Sequence, residues 1–179
     1  MFSQKSFFSI PVLVLIIIIL LSFPEKSTNA QTVQRIGVFD SRAVVLAYFN
    51  SKFSDIRQIF HSLDSLLQEA KSKGDTTAIS KIEREGTLRQ AMLHDQGFGT
   101  GSINNITETI KDKLAKLAND ENLSAVVSKW EIAFSNKDVE LIDITEKIVN
   151  FFEPTEQVKT GVKEIMQLEP VKDAYLIED

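Results

Sequence analysis

The feature that most constrains the fold is a run of apolar residues at intervals of three and four along the segment 54–72. This spacing places the side chains on one side of an α-helix, in the heptad pattern of helices that pack against a partner helix. The segment ends near Gly74, a residue suited to the left-handed conformation that closes a helix, and a second helix over about 76–95 runs back. The sequence therefore predicts an antiparallel helical hairpin over 54–95. Its seam is formed by Ile56, Ile59, Leu63, Leu66 and Ala70.

The two helices of this hairpin differ in apolar surface. Phe60 and Leu67 widen the seam of the first helix, whereas the second has a sparser apolar face with Gly86 in its middle. The first helix therefore carries an apolar stripe that its partner does not cover. Such a stripe contacts the body of the protein, another subunit or a client, and packing within the protein or its oligomer is the commoner case. The candidate client- or partner-binding residues are Ile56, Ile59, Phe60, Leu63, Leu66 and Leu67.

The first thirty residues have the layout of an export signal. Lys5 gives a positive start, residues 7–23 are almost wholly apolar, and Ala30 is a small residue placed before a cleavage site. These features predict a signal peptide over 1–30 that is removed after Ala30. The alternative is an uncleaved anchor at 7–23, although this run is slightly shorter than the ~20 residues that span a bilayer. We expect an exported protein, in the periplasm or anchored to the inner membrane.

Short strands are expected at both ends of the remaining chain. Residues 35–40 are rich in large apolar residues and bounded by the charges of Arg35 and Asp40, as is typical of a strand. The segments 123–129 and 131–134 are interpreted as two further strands on either side of Trp130. We expect these strands to form one small sheet that contains an antiparallel pair. The predicted fold class is α+β, mostly α-helical, with the hairpin projecting from the sheet.

Further helices are predicted after the hairpin. One helix over about 103–118 carries an apolar face, and a last helix over about 155–168 is followed by an acidic, mobile tail at 170–179. We divide the chain after its export signal into a domain over 31–154 and a C-terminal helix and tail over 155–179. The apolar face of the first of these helices consists of Ile103, Ile106, Ile110, Leu114 and Leu117.

Composition and spacing argue against several kinds of site. The chain has no cysteine, which excludes disulfides and thiolate metal sites, and its net charge of −5 opposes binding to nucleic acid or anionic lipid. His61 and His94 lack metal-ligand spacing, so no metal or other cofactor is expected. Asp40 and Ser41 are explained by capping of the next helix. The glycine-rich loop 97–101 follows a helix and lacks the ending of a phosphate loop, so we expect a flexible connector and no enzyme.

Two parts of the chain resemble the Skp/OmpH family of periplasmic chaperones. Residues 36–40 (IGVFD) look like the first strand of that family. The stretch 117–127 (LANDENLSAVV), continued by 133–134 (AF), 138–139 (DV) and 143–145 (DIT), looks like its final strand pair and C-terminal helix.

Three shorter segments are similar to an uncharacterised group of exported bacterial proteins. They are 40–43 (DSRA), 96–98 (QGF) and 127–130 (VSKW). This second resemblance implies export and the same outline, and it implies no particular activity.

The resemblance to the Skp/OmpH family implies a homotrimer whose subunits join through their small sheets. Hairpins then project as arms around unfolded outer-membrane or envelope proteins, so the implied function is that of a holdase chaperone. A non-enzymatic envelope adaptor or structural protein, whose hairpin binds one folded partner, is the alternative, and an enzyme with a small-molecule pocket is a third reading. The implied oligomer-interface residues are Ile36, Val38, Val126, Trp130 and Phe134.

Overall fold

The computed structural model describes residues 33–177, and the predicted export signal over 1–30, with its apolar run at 7–23, lies outside them. Within 33–177, no helix combines the length and apolar character needed to cross a bilayer. The elements are, in order, β1 (Gln34–Phe39), α1 (Ser41–Phe49), α2 (Ile56–Lys73), α3 (Thr76–Gly97), α4 (Asn104–Thr107), α5 (Lys111–Asp120), β2 (Ala125–Ser128), β3 (Val139–Asp143), α6 (Thr145–Asn150) and α7 (Glu156–Ile165).

The three strands form one parallel sheet in the order β2-β1-β3. Ile36 of the central strand pairs with Ala125 on one side and with Leu141 on the other. The small sheet in a mostly helical α+β fold is confirmed, but the prediction of an antiparallel pair is wrong. Segment 131–134 is not a strand. It belongs to the connection 129–138, which carries the chain back across the sheet so that β2 and β3 run in the same direction.

Helices α2 and α3 pack against each other as an antiparallel hairpin. Gly74 between them has a φ of 68°, the left-handed conformation, and the Asp75 carboxylate caps α3 by accepting the Ala78 N–H at 2.9 Å. In the third turn of α2, Leu67 is partly covered and Leu66 is 51% exposed. Leu67 therefore takes the place in the seam that was predicted for Leu66. The end of α3 packs on α1, so the hairpin is attached to the body of the protein.

The core is built around α1. This helix is apolar on almost every side, which requires cover on every side, and α3, α6 and α7 supply that cover. Val162 of α7 belongs to the same core and is 2% exposed. The core residues contributed by α1 are Ala43, Val44, Val45, Ala47 and Tyr48.

The chain after α6 packs onto this body. The predicted helix over 155–168 is shorter than expected and forms α7. Segment 170–177, for which we expected mobility, lies against α3: Ala174 is fully buried, and the Val171 N–H donates to the Phe98 carbonyl at 2.8 Å.

The predicted helix over 103–118 is divided. Helix α4 gives way to a single 3-10 turn at Glu108–Ile110, and α5 continues from there. The predicted apolar face nevertheless faces the interior. Ile103, Ile106, Ile110 and Leu117 are buried, and Leu114 packs against them.

Candidate functional site

An apolar groove lies at the base of the hairpin, where α1, α2, α3 and α7 meet. Its volume is about 460 Å³. Phe60 and Phe98 in its wall keep 36% and 49% of their surface exposed, so the groove is open to solvent. Open, concave apolar surface is the usual property of a site that binds another apolar group. The apolar wall consists of Leu46, Phe49, Phe60, Leu93, Phe98 and Ile165.

The backbone holds Phe98 in place at the end of α3. The Phe98 N–H donates to the His94 carbonyl at 2.9 Å, and the Phe98 carbonyl accepts the Val171 N–H at 2.8 Å. The glycines that follow pack directly on Asp95, since a Cβ at Gly99 would lie 2.8 Å from the Asp95 backbone oxygen. The glycine loop, for which we expected a flexible connector, is therefore closely packed and fixes Phe98 beside the groove.

A second depression of about 240 Å³ continues the groove along α7. The two depressions share Arg42, Leu46, Phe98 and Ile165, so they form one continuous surface. Gly161 lets α7 approach α1 closely, because a Cβ at this position would lie 3.3 Å from Leu46 Cδ2. The outer wall of the second depression is formed by Glu164, Leu168, Glu169 and Val171, all of them exposed.

Arg42 connects the groove to a buried ion pair with Asp40. The Arg42 Nη2 and Nε atoms donate to the two Asp40 carboxylate oxygens at 2.8 Å and 3.1 Å, a two-point contact. Both side chains are almost fully buried. The local sequence produces this arrangement because Asp40 also caps α1, accepting the Arg42 backbone N–H at 3.1 Å. Ser41 is buried beside it, and its hydroxyl has no hydrogen-bond partner within residues 33–177.

Lys129 and Trp130 reach the same carboxylate from the end of β2. The Lys129 Nζ lies 2.9 Å from one Asp40 oxygen, and the Trp130 indole N–H donates to the other at 3.3 Å. The indole ring also contacts both cations, with Arg42 Cζ 4.9 Å and Lys129 Nζ 4.3 Å from its centroid. Within one chain, Trp130 therefore closes the carboxyl end of the sheet over the ion pair.

Asp40 stays ionised in these surroundings. Burial by itself would raise the pKa of its carboxyl group, because a carboxylate is less stable away from water. Hydrogen bonds and charges from Arg42 and Lys129 outweigh burial, so the pKa of Asp40 is lowered below its ordinary value of 3.8. At neutral pH this group acts as a counter-ion in the framework beneath the groove.

The candidate binding residues of α2 occupy two kinds of position. Phe60 lines the groove, and Leu66 is exposed further along the hairpin. The other four are partly covered, which matches a seam that packs against α3. These four are Ile56, Ile59, Leu63 and Leu67.

The residues assigned by resemblance to an oligomer interface are not brought together on one surface. Ile36 and Val38 lie on one face of the central strand and are partly buried. Val126 packs against the core from the other face, and Trp130 contacts the Asp40 carboxylate. Phe134 is 86% exposed in the connection 129–138.

Within residues 33–177 no group of three or more His, Asp or Glu side chains is arranged to hold a metal ion. His61 is exposed on α2. His94 lies with Nδ1 3.1 Å from the Ile177 carbonyl oxygen.

Sequence reasoning placed the binding surface on the hairpin and missed the walls contributed by α1 and α7. A signal was present in three short segments of the sequence, which the fold brings together. Arg42 from the first segment contacts the Trp130 ring of the third and lines the groove with Phe98 of the second. The segments are 40–43, 96–98 and 127–130.

No known protein-family model, curated protein or solved structure matches this chain significantly. What the site can do follows from its chemistry. The groove offers apolar surface to a ligand, and the ionised groups beneath it are paired with each other.

Proposed function

We propose that the protein is an exported, non-enzymatic binding protein that holds apolar segments of unfolded outer-membrane or envelope proteins, as a Skp/OmpH-like holdase does. The observation that carries this proposal is the open apolar groove at the base of the hairpin. Phe60 and Phe98 stand at its mouth with much of their surface in water. A client side chain that enters the groove covers this surface as well as its own.

The free energy expected for binding in the groove suits transient holding of a client segment. Burying one large apolar side chain contributes about 1.5–3 kcal/mol. A groove of this size takes a short apolar segment, and association entropy offsets much of the gain. We expect weak and reversible binding that selects apolar character over a particular sequence.

The hairpin extends this surface away from the body. Helices of 18 and 22 residues are about 27 Å and 33 Å long at 1.5 Å per residue. Leu66, Leu88 and Met92 are exposed along them. These side chains offer further weak contacts to a chain that is anchored in the groove.

A trimer, implied by the resemblance, would place several grooves near one client. Within residues 33–177, β2 and β3 each have one edge that no strand of the same chain pairs with. Unpaired edges accept strands from other chains, and homo-oligomers close through such contacts by symmetry. We expect the subunits to join at these edges.

A second candidate is an envelope adaptor that binds one folded partner. The close packing of Gly99 against Asp95 favours it, because a preformed wall suits a single defined ligand. A holdase instead accepts many unrelated apolar segments.

The test is the aggregation of an unfolded β-barrel membrane protein, followed by light scattering with and without the purified protein. We expect suppression at stoichiometric amounts, and loss of suppression in Phe98→Asp. Phe53→Asp is the matched control, because Phe53 is exposed to a similar extent and does not line the groove. Equal loss in both variants, or no suppression by a folded wild-type protein, would contradict the holdase. No suppression together with one specific captured partner would favour the adaptor.

A further inference from the structure

Exposed carboxylates lie at one end of the apolar groove. Glu164 and Glu169 stand at its α7 end, both exposed. Arg42 also lines the groove, but its guanidinium is buried and neutralised by Asp40. The α7 end of the groove is therefore an apolar surface with two carboxylates beside it.

We infer that the groove selects polypeptide segments in which an apolar run is flanked by a lysine or arginine. The inference rests on the proposed function and specifies its ligand. An apolar run fills the part of the groove lined by Phe60, Leu93 and Phe98. A cationic side chain next to the run then lies near Glu164 and Glu169, with its aliphatic stem against Leu168 or Ile165 and its charge in water.

The carboxylates also discriminate against the wrong segment. An acidic residue at the same position would meet two like charges, which raises the free energy of the complex. A preference for basic segments also agrees with the overall net charge of −5 of the protein. Because Glu164 and Glu169 are exposed, their contribution is modest and salt-dependent.

The experiment compares two labelled peptides by fluorescence anisotropy with the purified protein. Both have the same short Leu/Phe-rich core; one carries a lysine at each end and the other a glutamine at each end. We expect the lysine peptide to bind about fivefold more tightly at low salt, from two exposed charge contacts. The preference should vanish in the double variant Glu164→Gln/Glu169→Gln and at high salt.

A matched charge control is Glu108→Gln/Asp112→Asn, which removes two carboxylates that do not line the groove. This control should keep the preference. If both peptides bind equally to wild type, the charge selection is refuted and the groove proposal stands. If neither peptide binds, the groove proposal itself fails.

Light scattering in the same samples tests the other occupant, a second copy of this chain. If the wild-type mass exceeds that of Phe98→Asp, and Phe53→Asp keeps the wild-type mass, then the groove is filled by another subunit. That outcome would overturn the inference about basic segments.

Discussion

Replacing Asp40 by asparagine removes one negative charge from the centre of the buried network and keeps the size of the side chain. Arg42, with a side chain only 2% exposed, would lose its counter-ion. The asparagine NH₂ group would also face a donor on Arg42 or Lys129. Removing one partner of a buried ion pair typically costs about 3–5 kcal/mol, because the remaining charge stays buried without compensation.

Asparagine caps helices about as well as aspartate, so the loss arises from the charge and not from the cap of α1. We expect the free energy of unfolding to fall by about 3 kcal/mol. At a urea dependence of ~2 kcal/mol per molar, this lowers the midpoint by about 1.5 M. Urea unfolding at pH 7, followed by circular dichroism, measures the shift.

The control for this measurement is Thr155→Ala. This substitution removes the hydroxyl that accepts the Val158 N–H at 3.3 Å at the start of α7. Loss of an exposed cap costs about 1 kcal/mol. If Asp40→Asn costs no more than Thr155→Ala, then the Arg42 guanidinium is hydrated in solution and the buried network is refuted.

The pH dependence gives the same prediction an independent check. The pKa of Asp40 is lower in the folded protein than its ordinary value of 3.8. Its stabilising contribution is therefore fully present above the ordinary value and is lost as the pH falls through the lower, folded value. The difference between wild type and Asp40→Asn should be constant near neutral pH and shrink in acid below 3.8. A difference that persists through the acid range would mean that charge is not its source.

Three further substitutions test the packing, each by urea unfolding at pH 7. Ile106→Ala should cost about 2–5 kcal/mol, because Ile106 is fully buried and leaves a cavity; a change below 1 kcal/mol would contradict its burial. Gly74→Ala should cost about 1 kcal/mol from its left-handed backbone alone, since nothing lies within 4 Å of the added Cβ. Gly99→Ala should cost more, because its Cβ would meet the Asp95 backbone oxygen at 2.8 Å; the reverse order would argue against the close loop packing.

Features that depend on near neighbours in the sequence could be predicted. The hairpin follows from the apolar spacing of α2 and from Gly74, which adopts the expected left-handed conformation. The buried face of α4 and α5 follows from isoleucines and leucines three and four residues apart. In each case the residues that decide the structure lie within one or two helical turns of each other.

The direction of the strands could not be predicted in this way. It depends on whether the chain between β2 and β3 turns back at once or crosses the sheet, and 131–134 is apolar enough for either course. The groove could not be predicted for a related reason. Its wall residues Leu46, Phe98 and Ile165 come from separate elements. The packing of both α3 and α7 on α1 brings these side chains onto one surface.

The central claim, that a client polypeptide lies in the groove, is tested most directly by photo-crosslinking. A benzophenone amino acid is placed at Phe98, or at Phe53 as the exposed control outside the groove. The protein is then mixed with an unfolded β-barrel membrane protein and irradiated. We predict crosslinks to the client from position 98 and few from position 53. Crosslinks from position 53 with none from position 98 would contradict the account.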